Sequence, residues 1–181
     1  MRPLFSVLML FGVLAGRAQY TQVPDPNFEQ ALIDLGIDSE GILDGQFPTA
    51  DGIGVEYLYL DNRNINDITG IEAFVDLLWL DLYGNNLVTV DLSGVAQSVY
   101  TLNIGNNHLQ QVDLSPLPGL INIGLHKNDL TFIDASNFTS GFVLSASDNP
   151  LISVNLNNSA FQILEFQDSS IENIDLSTLT F

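Results

Sequence analysis

Tyr57, Tyr59, Trp79 and Tyr83 gather around Asp81, with Asn103 further along, and these residue types suit recognition at a surface. Exposed Tyr and Trp offer large rigid apolar area with a polar handle, so they anchor protein partners; their flat faces also stack on sugars. The plainer alternative is that the rings only cover the surface they stand on. Catalysis has weaker support. His108 and His126 are the chain's two histidines, and neither sits in a nucleophile or metal motif, so each reads as a solvated surface group. Ser and Asp are abundant, but their spacing follows a recurring phrase rather than a triad. A carboxylate pair for glycoside hydrolysis stays open, with no motif to select it. The reading is therefore a binding surface with no catalytic residue, no metal site and no cofactor. The stretch Asp38 to Gly45 alternates oxygens with glycines in the manner of a calcium loop but lacks the ligand spacing and terminal Glu of an EF-hand. A turn is the expectation there.

What must position these side chains is a repeat. Leu77-x-x-Leu80-x-Leu82-x-x-Asn85-x-Leu87 recurs as Val99, Leu102, Ile104, Asn107, Leu109 and as Leu120, Ile123, Leu125, Asn128, Leu130. Gly141, Leu144, Ala146, Asn149 and Leu151 form a further copy; Val55, Leu58, Leu60, Arg63 and Ile65 open the series and Phe161, Leu164, Phe166, Ser169 and Ile171 close it. The starts lie 20 to 22 residues apart, the period and pattern of a leucine-rich repeat. Alternation within Leu-x-Leu predicts one short strand per repeat with one buried face. Successive strands are expected to pair in parallel, giving an α/β solenoid: a right-handed superhelix with a parallel concave sheet and a short, non-helical convex side. Two outward columns then line the concave face. One is Tyr57, Trp79, Thr101, Asn122, Val143 and Ile163; the other is Tyr59, Asp81, Asn103, Gly124, Ser145 and Glu165.

Two further columns have mechanical work. After each strand the backbone must turn sharply, leaving N–H and C=O groups without ladder partners. A side-chain amide donates and accepts, so stacked Asn85, Asn107, Asn128 and Asn149 are expected to satisfy those groups as structural residues. The phrase Val90-Asp91-Leu92-Ser93, repeated through Ile174-Asp175-Leu176-Ser177, predicts side-chain-to-backbone turns. Calcium held between stacked Asp side chains is the alternative.

Before the repeats, residues 23–36 predict a helix capped by Asp25, with Pro26 in its first turn, Gly36 at its end, and Phe28, Ala31, Leu32 and Leu35 on one face. Such a face would shield the open end of the stack. Residues 37–54 are expected to form a loop. Residues 1–18 carry Arg2, an apolar run from Leu4 to Leu14 and the small-x-small site Gly16-Arg17-Ala18, the pattern of a signal peptide. The domain reading is thus 1–18 signal peptide, 19–54 cap and loop, and 55–181 six repeats. Cleavage after Ala18 removes Arg2 and Arg17 but none of the 22 acids, leaving Arg63, Lys127 and a formal charge of −20. That charge repels nucleic acid and anionic membrane surfaces. With no cysteine, disulfides and thiolate chemistry are unavailable.

The repeats and the segment Val23-Pro24-Asp25-Pro26-Asn27-Phe28-Glu29-Gln30-Ala31-Leu32-Ile33-Asp34-Leu35-Gly36 together resemble secreted bacterial leucine-rich repeat proteins of the internalin-like type. The resemblance implies an exported or cell-surface binding module without catalytic residues; the aromatics add a protein ligand, or a glycan in adhesion, and no stretch after residue 18 is long and apolar enough for membrane insertion. It also implies a longer product with a sorting domain. Here the sequence stops at Phe181, so either Leu179 and Phe181 fold back as a minimal cap or the chain is a fragment; the fragment is the preferred expectation.

Overall fold

Each Leu-x-Leu unit extends, and its alternate side chains part to opposite faces: in Tyr57–Tyr59 (β3) Leu58 is wholly buried while both tyrosines are 48% exposed. The computed structural model describes residues 19–136, 138–171 and 174. Trp79–Asp81 (β4), Thr101–Asn103 (β5), Asn122–Gly124 (β6), Val143–Ser145 (β8) and Ile163–Glu165 (β10) stack on β3 as one six-stranded parallel sheet. The register runs straight across: Leu58 opposite Leu80, then Leu102, Ile123, Leu144 and Leu164. This is a parallel-sheet solenoid of the leucine-rich repeat class. The expected inward columns are buried from Leu58 to Leu144 and from Leu60 to Ala146, and they fuse into one core. At the last rung Leu164 and Phe166 are only half-buried.

The convex side is built from turns and short extended segments. Phe132–Asp134 (β7) and Ser153–Asn155 (β9) pair in parallel as a second small sheet, and Ile71–Ala73 forms one 3-10 turn. Along this side Ser93, Ser115 and Ser136 N–H donate to the Oδ1 atoms of Asp91, Asp113 and Asp134 at 2.9, 2.9 and 3.0 Å. The side-chain turn therefore forms at each of these positions. Bonding from the Ser93 and Ser115 side chains, reinforced by their N–H groups, holds the Asp91 and Asp113 carboxyls below the ordinary carboxylate value.

Ahead of the repeats the helix is shorter than its sequence pattern predicts. It spans Pro26–Asp34 (α1), capped as expected by Asp25, which precedes a proline and is extended. Tyr20–Gln22 (β1) runs just before it and pairs antiparallel with Gln46–Pro48 (β2). The expected structureless loop over residues 37–54 therefore contains a strand, and a 3-10 helix over Thr49–Gly52 as well. Phe28, Ala31 and Leu32 join the core, but Leu35 ends the helix and is 41% exposed rather than facing inward.

Two buried carboxylates fasten this segment. Asp25 Oδ1 accepts from Asn27 and Phe28 N–H at the helix start, while its Oδ2 accepts from Asn66 and Asp67 N–H in the first repeat at 2.6 and 3.0 Å. Glu29, 1% exposed, accepts from the N–H groups of Asp44, Gly45 and Gln46. The predicted leader, residues 1–18, and the expected closing residues Leu179 and Phe181 lie outside the described residues.

Candidate functional site

The turn after each strand is made by a left-handed residue followed by the ladder amide. Asn62, Gly84, Asn106, Lys127, Asp148 and Asp168 occupy that position in successive repeats, with φ between 52° and 69°. Asn, Asp and Gly enter this conformation at low cost; Lys127 is the departure. Behind it, Asn107 Nδ2 donates to the carbonyls of Leu82, Ile104 and Gly105, and its Oδ1 accepts from Leu87 N–H at 3.0 Å. Asn85, Asn128 and Asn149 bond in the same manner on their own rungs, each donating to a carbonyl of the repeat before, and all four are 2–5% exposed. Each amide reaches back to the previous repeat, so it fixes both the turn and the spacing of the strands.

On that frame the concave face is aromatic at its N-terminal end. Tyr59 and Trp79 lie 6.2 Å apart between ring centroids at a tilt of 51°. Tyr57 reaches across the β4 rung to Tyr100. Hydrogen bonding between their hydroxyls, together with the charge of Tyr100, burial and the neighbouring Glu56, holds the Tyr57 phenol above its ordinary pKa. Asp81 is half-buried, its Oδ1 accepting from Tyr83 N–H at 2.9 Å. Asn103 is half-buried too, its Oδ1 accepting from Gly105 N–H.

The Tyr83 ring meets His126, two repeats away, at 5.5 Å between centroids. Gly105 makes that possible. It stands between them in the register, and a Cβ there would lie 2.8 Å from His126 Cε1. His126 is thus no solvated loop residue: its Nδ1 is buried and has no partner, as is Trp79 Nε1. Gly124 serves similarly, since a Cβ would fall 2.8 Å from Asn103 Oδ1. The floor at β5 and β6 is consequently shallow. Thr101, expected to face outward, is 6% exposed, a small side chain beside Trp79 whose Oγ1 accepts from Asn122 Nδ2.

Sequence columns therefore place Tyr57, Tyr59, Trp79 and Asp81 together. They miss Tyr100, which sits one position ahead of its strand, and the Tyr83–His126 pair, whose signal was the glycine at the intervening rung. His108 is exposed, away from the pair. Among the described residues no group of three His, Asp or Glu side chains is arranged to hold a metal ion, and no helix is long and apolar enough to cross a membrane. In the stretch Asp38 to Gly45, Asp38 Oδ1 closes a turn by accepting from Glu40 N–H.

Solved structures share this architecture. The chain is similar to the functional domain of InlJ from Listeria monocytogenes, at 21% identity and a TM-score of 0.59 over 91% of this chain and 47% of that one. It is similar to the internalin InlF of the same species, at 20% identity and a TM-score of 0.63 over 89% of this chain and 49% of that one. A leucine-rich repeat protein of Leptospira interrogans gives 22% identity and a TM-score of 0.60 over 70% of this chain and 35% of that one. These likenesses place the fold among leucine-rich repeat solenoids. The chain spans about half the length, or less, of these solved chains. No protein-family model matches the chain. No curated protein matches it either.

Proposed function

We propose that the chain is a non-enzymatic recognition module that binds a protein ligand on its concave sheet, at the surface of, or outside, the cell that exports it. The observation that carries this reading is the exposed aromatic cluster on a rigid frame. Tyr57 and Tyr59 leave nearly half their surface to solvent although an apolar core lies directly beneath them. Rings held this way offer contact area with little entropy left to lose, the mark of interface anchors. The repeat period supports it as well, because stacked units generate extended concave binding surfaces. Export rests on the sequence pattern of residues 1–18.

The proposed contact residues are Tyr57, Tyr59, Trp79, Asp81, Tyr83 and Asn103. Trp79→Ala and Tyr57→Ala are expected to weaken capture of peptides selected from a displayed library by about tenfold or more, the scale of an interface anchor, with the melting midpoint nearly unchanged. Full affinity in both variants rejects the site. The tilted Tyr59–Trp79 pair favours one other reading, a glycan stacked on the rings in an adhesive role. A glycan array set beside the peptide selection separates the two.

A further inference from the structure

We propose that the segment this face captures is cationic: a Lys- or Arg-bearing stretch of a protein partner, its charged side chains laid over the aromatic rings and against Asp81. The inference rests on the concave-face reading and adds the chemistry of the guest.

Charge is the first argument. The chain carries 22 acids against four cations, two of them in the predicted leader. Of the remaining two, Arg63 is held by Asp34 at 2.6 Å, and Lys127 sits in an edge turn beyond the strands. Among the described residues the aromatic end of the sheet therefore has carboxylates and, with Arg63 paired to Asp34, no cation without a partner. Glu56 and Asp61, both exposed, flank β3, and Asp81 lies between Tyr59 and Tyr83 in the register. A like-charged or acidic guest would be repelled before contact, and a basic one steered in.

Ring chemistry is the second. Tyr and Trp faces are electron-rich and attract ammonium and guanidinium groups, best where the cation is partly withdrawn from water. A tilted Tyr59–Trp79 pair beside a half-buried carboxylate supplies ring face and counter-charge at one place. A neutral sugar would use the faces and leave the field unused. A small free polyamine would use both, yet it carries no acceptor. Trp79 Nε1 is a donor without a partner, and a peptide brings backbone carbonyls that can take it once the indole turns outward.

The test must exclude attraction of any polycation to any acidic protein. Random short peptides displayed on phage are selected against the full chain, and the winners are synthesised and titrated with Trp79 fluorescence as the readout, since Trp79 is the chain's one tryptophan. Expected are clones enriched in Lys and Arg whose affinity falls as salt rises from about 50 to about 500 mM, where the screening length shortens severalfold. Tyr59→Ala, which leaves the net charge intact, should weaken them by about threefold to thirtyfold, the range of a cation–ring contact. Asp81→Asn should weaken them within the same range and flatten the salt dependence. Spermine should bind more weakly than the peptides.

Tyr59→Ala binding the basic peptides as well as the parent does reduces the effect to bulk charge and overturns the proposal. Clones that need Trp79 but carry no excess of Lys or Arg overturn it while leaving the concave-face reading standing. An absence of any Trp79-dependent clone removes both, and glycan binding without peptide binding gives the face to a sugar.

Discussion

Replacing the four ladder amides by alanine one at a time should produce unequal losses, and their order follows from counting the groups each leaves unpaired. The side-chain change is the same in all four, so volume and entropy terms nearly cancel. Removing Asn107 strips Leu87 N–H of its partner, but the carbonyls it served keep others: Leu82 O retains Asn85, Ile104 O retains Asn128 and Gly105 O retains Gly84 N–H. One buried group is orphaned. Asn128 is alike, orphaning Leu109 N–H alone. Asn149 orphans Leu130 N–H and, among the described residues, Ala146 O, because Ser169 stands where the next ladder amide would be. Asn85 orphans Ile65 N–H, Leu60 O and the half-buried Arg63 N–H, since Arg63 occupies the preceding ladder position. An unsatisfied buried group costs about 1–3 kcal/mol. Asn107→Ala and Asn128→Ala should therefore each cost about that much, roughly 2–12 °C in melting midpoint for a chain of this size. Asn149→Ala should cost about twice as much, and Asn85→Ala, with a third and half-buried group orphaned, somewhat more than Asn149→Ala. Urea titrations read by circular dichroism and by Trp79 fluorescence supply the ranking. Equal losses at all four positions, or a larger loss at Asn107 than at Asn85, would refute the ladder as the accounting of the turns.

Asp25 gives a pH-dependent counterpart. Burial raises its pKa, but N–H donors from Asn66, Asn27, Phe28 and Asp67 outweigh that and set it below the ordinary carboxylate value. A depressed folded pKa means stability that is present above the unfolded value of about 4 and is lost as pH falls through the folded one. Asp25→Asn should thus be destabilised by about 1–3 kcal/mol at pH 7, with the gap to the parent closing in urea titrations at acid pH; a gap independent of pH would count against the clamp. Gly105→Ala should push His126 off Tyr83, because the new methyl claims space its ring occupies; an unchanged Tyr83–His126 nuclear Overhauser contact contradicts this. Lys127→Asn should stabilise the turn by about 0.5–1 kcal/mol over Lys127→Ala, which has the same charge but keeps the left-handed strain; equal midpoints for the two variants would remove the strain argument.

What the sequence displays most clearly is what repeats. Leu80, Leu102, Ile123 and Leu144 read as a column because each meets the same environment one rung on, and they stand in register in the sheet. The left-handed position recurs too, as Asn62, Gly84, Asn106, Asp148 and Asp168 with Lys127 breaking the type, but the structure was needed to single it out. Interactions that occur once leave no such trace. Nothing in the order of residues pairs Glu29 with the N–H groups of residues 44–46, or Tyr57 with Tyr100, because those contacts depend on side-chain reach across the stack. The helix start was legible in Asp25 and Pro26, which cap and open it as expected; only residues 23–25, counted into the helix by the outer bounds, fall outside it.

A stack of this kind separates the residues that hold it from those free to vary. Buried columns and ladder amides carry the stability, and outward strand positions such as Tyr57 and Tyr59 stand outside that core. The concave face uses that freedom unevenly. Large rings occupy the first two rungs, whereas the next two line an open hollow with Thr101, Asn103, Asn122 and His126, and a Cβ at Gly124 would push Asn103 into it. A guest anchored at Tyr57, Tyr59 and Trp79 would therefore run across the strands toward lower ground at β5 and β6, bounded by Tyr83 and His126 on one side. Filling that hollow is the direct check: Gly124→Ala should shorten residence of a captured peptide while leaving its initial salt-dependent encounter rate unchanged, since the ring anchors and carboxylates that steer it are untouched. An altered encounter rate with unaltered residence would put the guest elsewhere on the sheet.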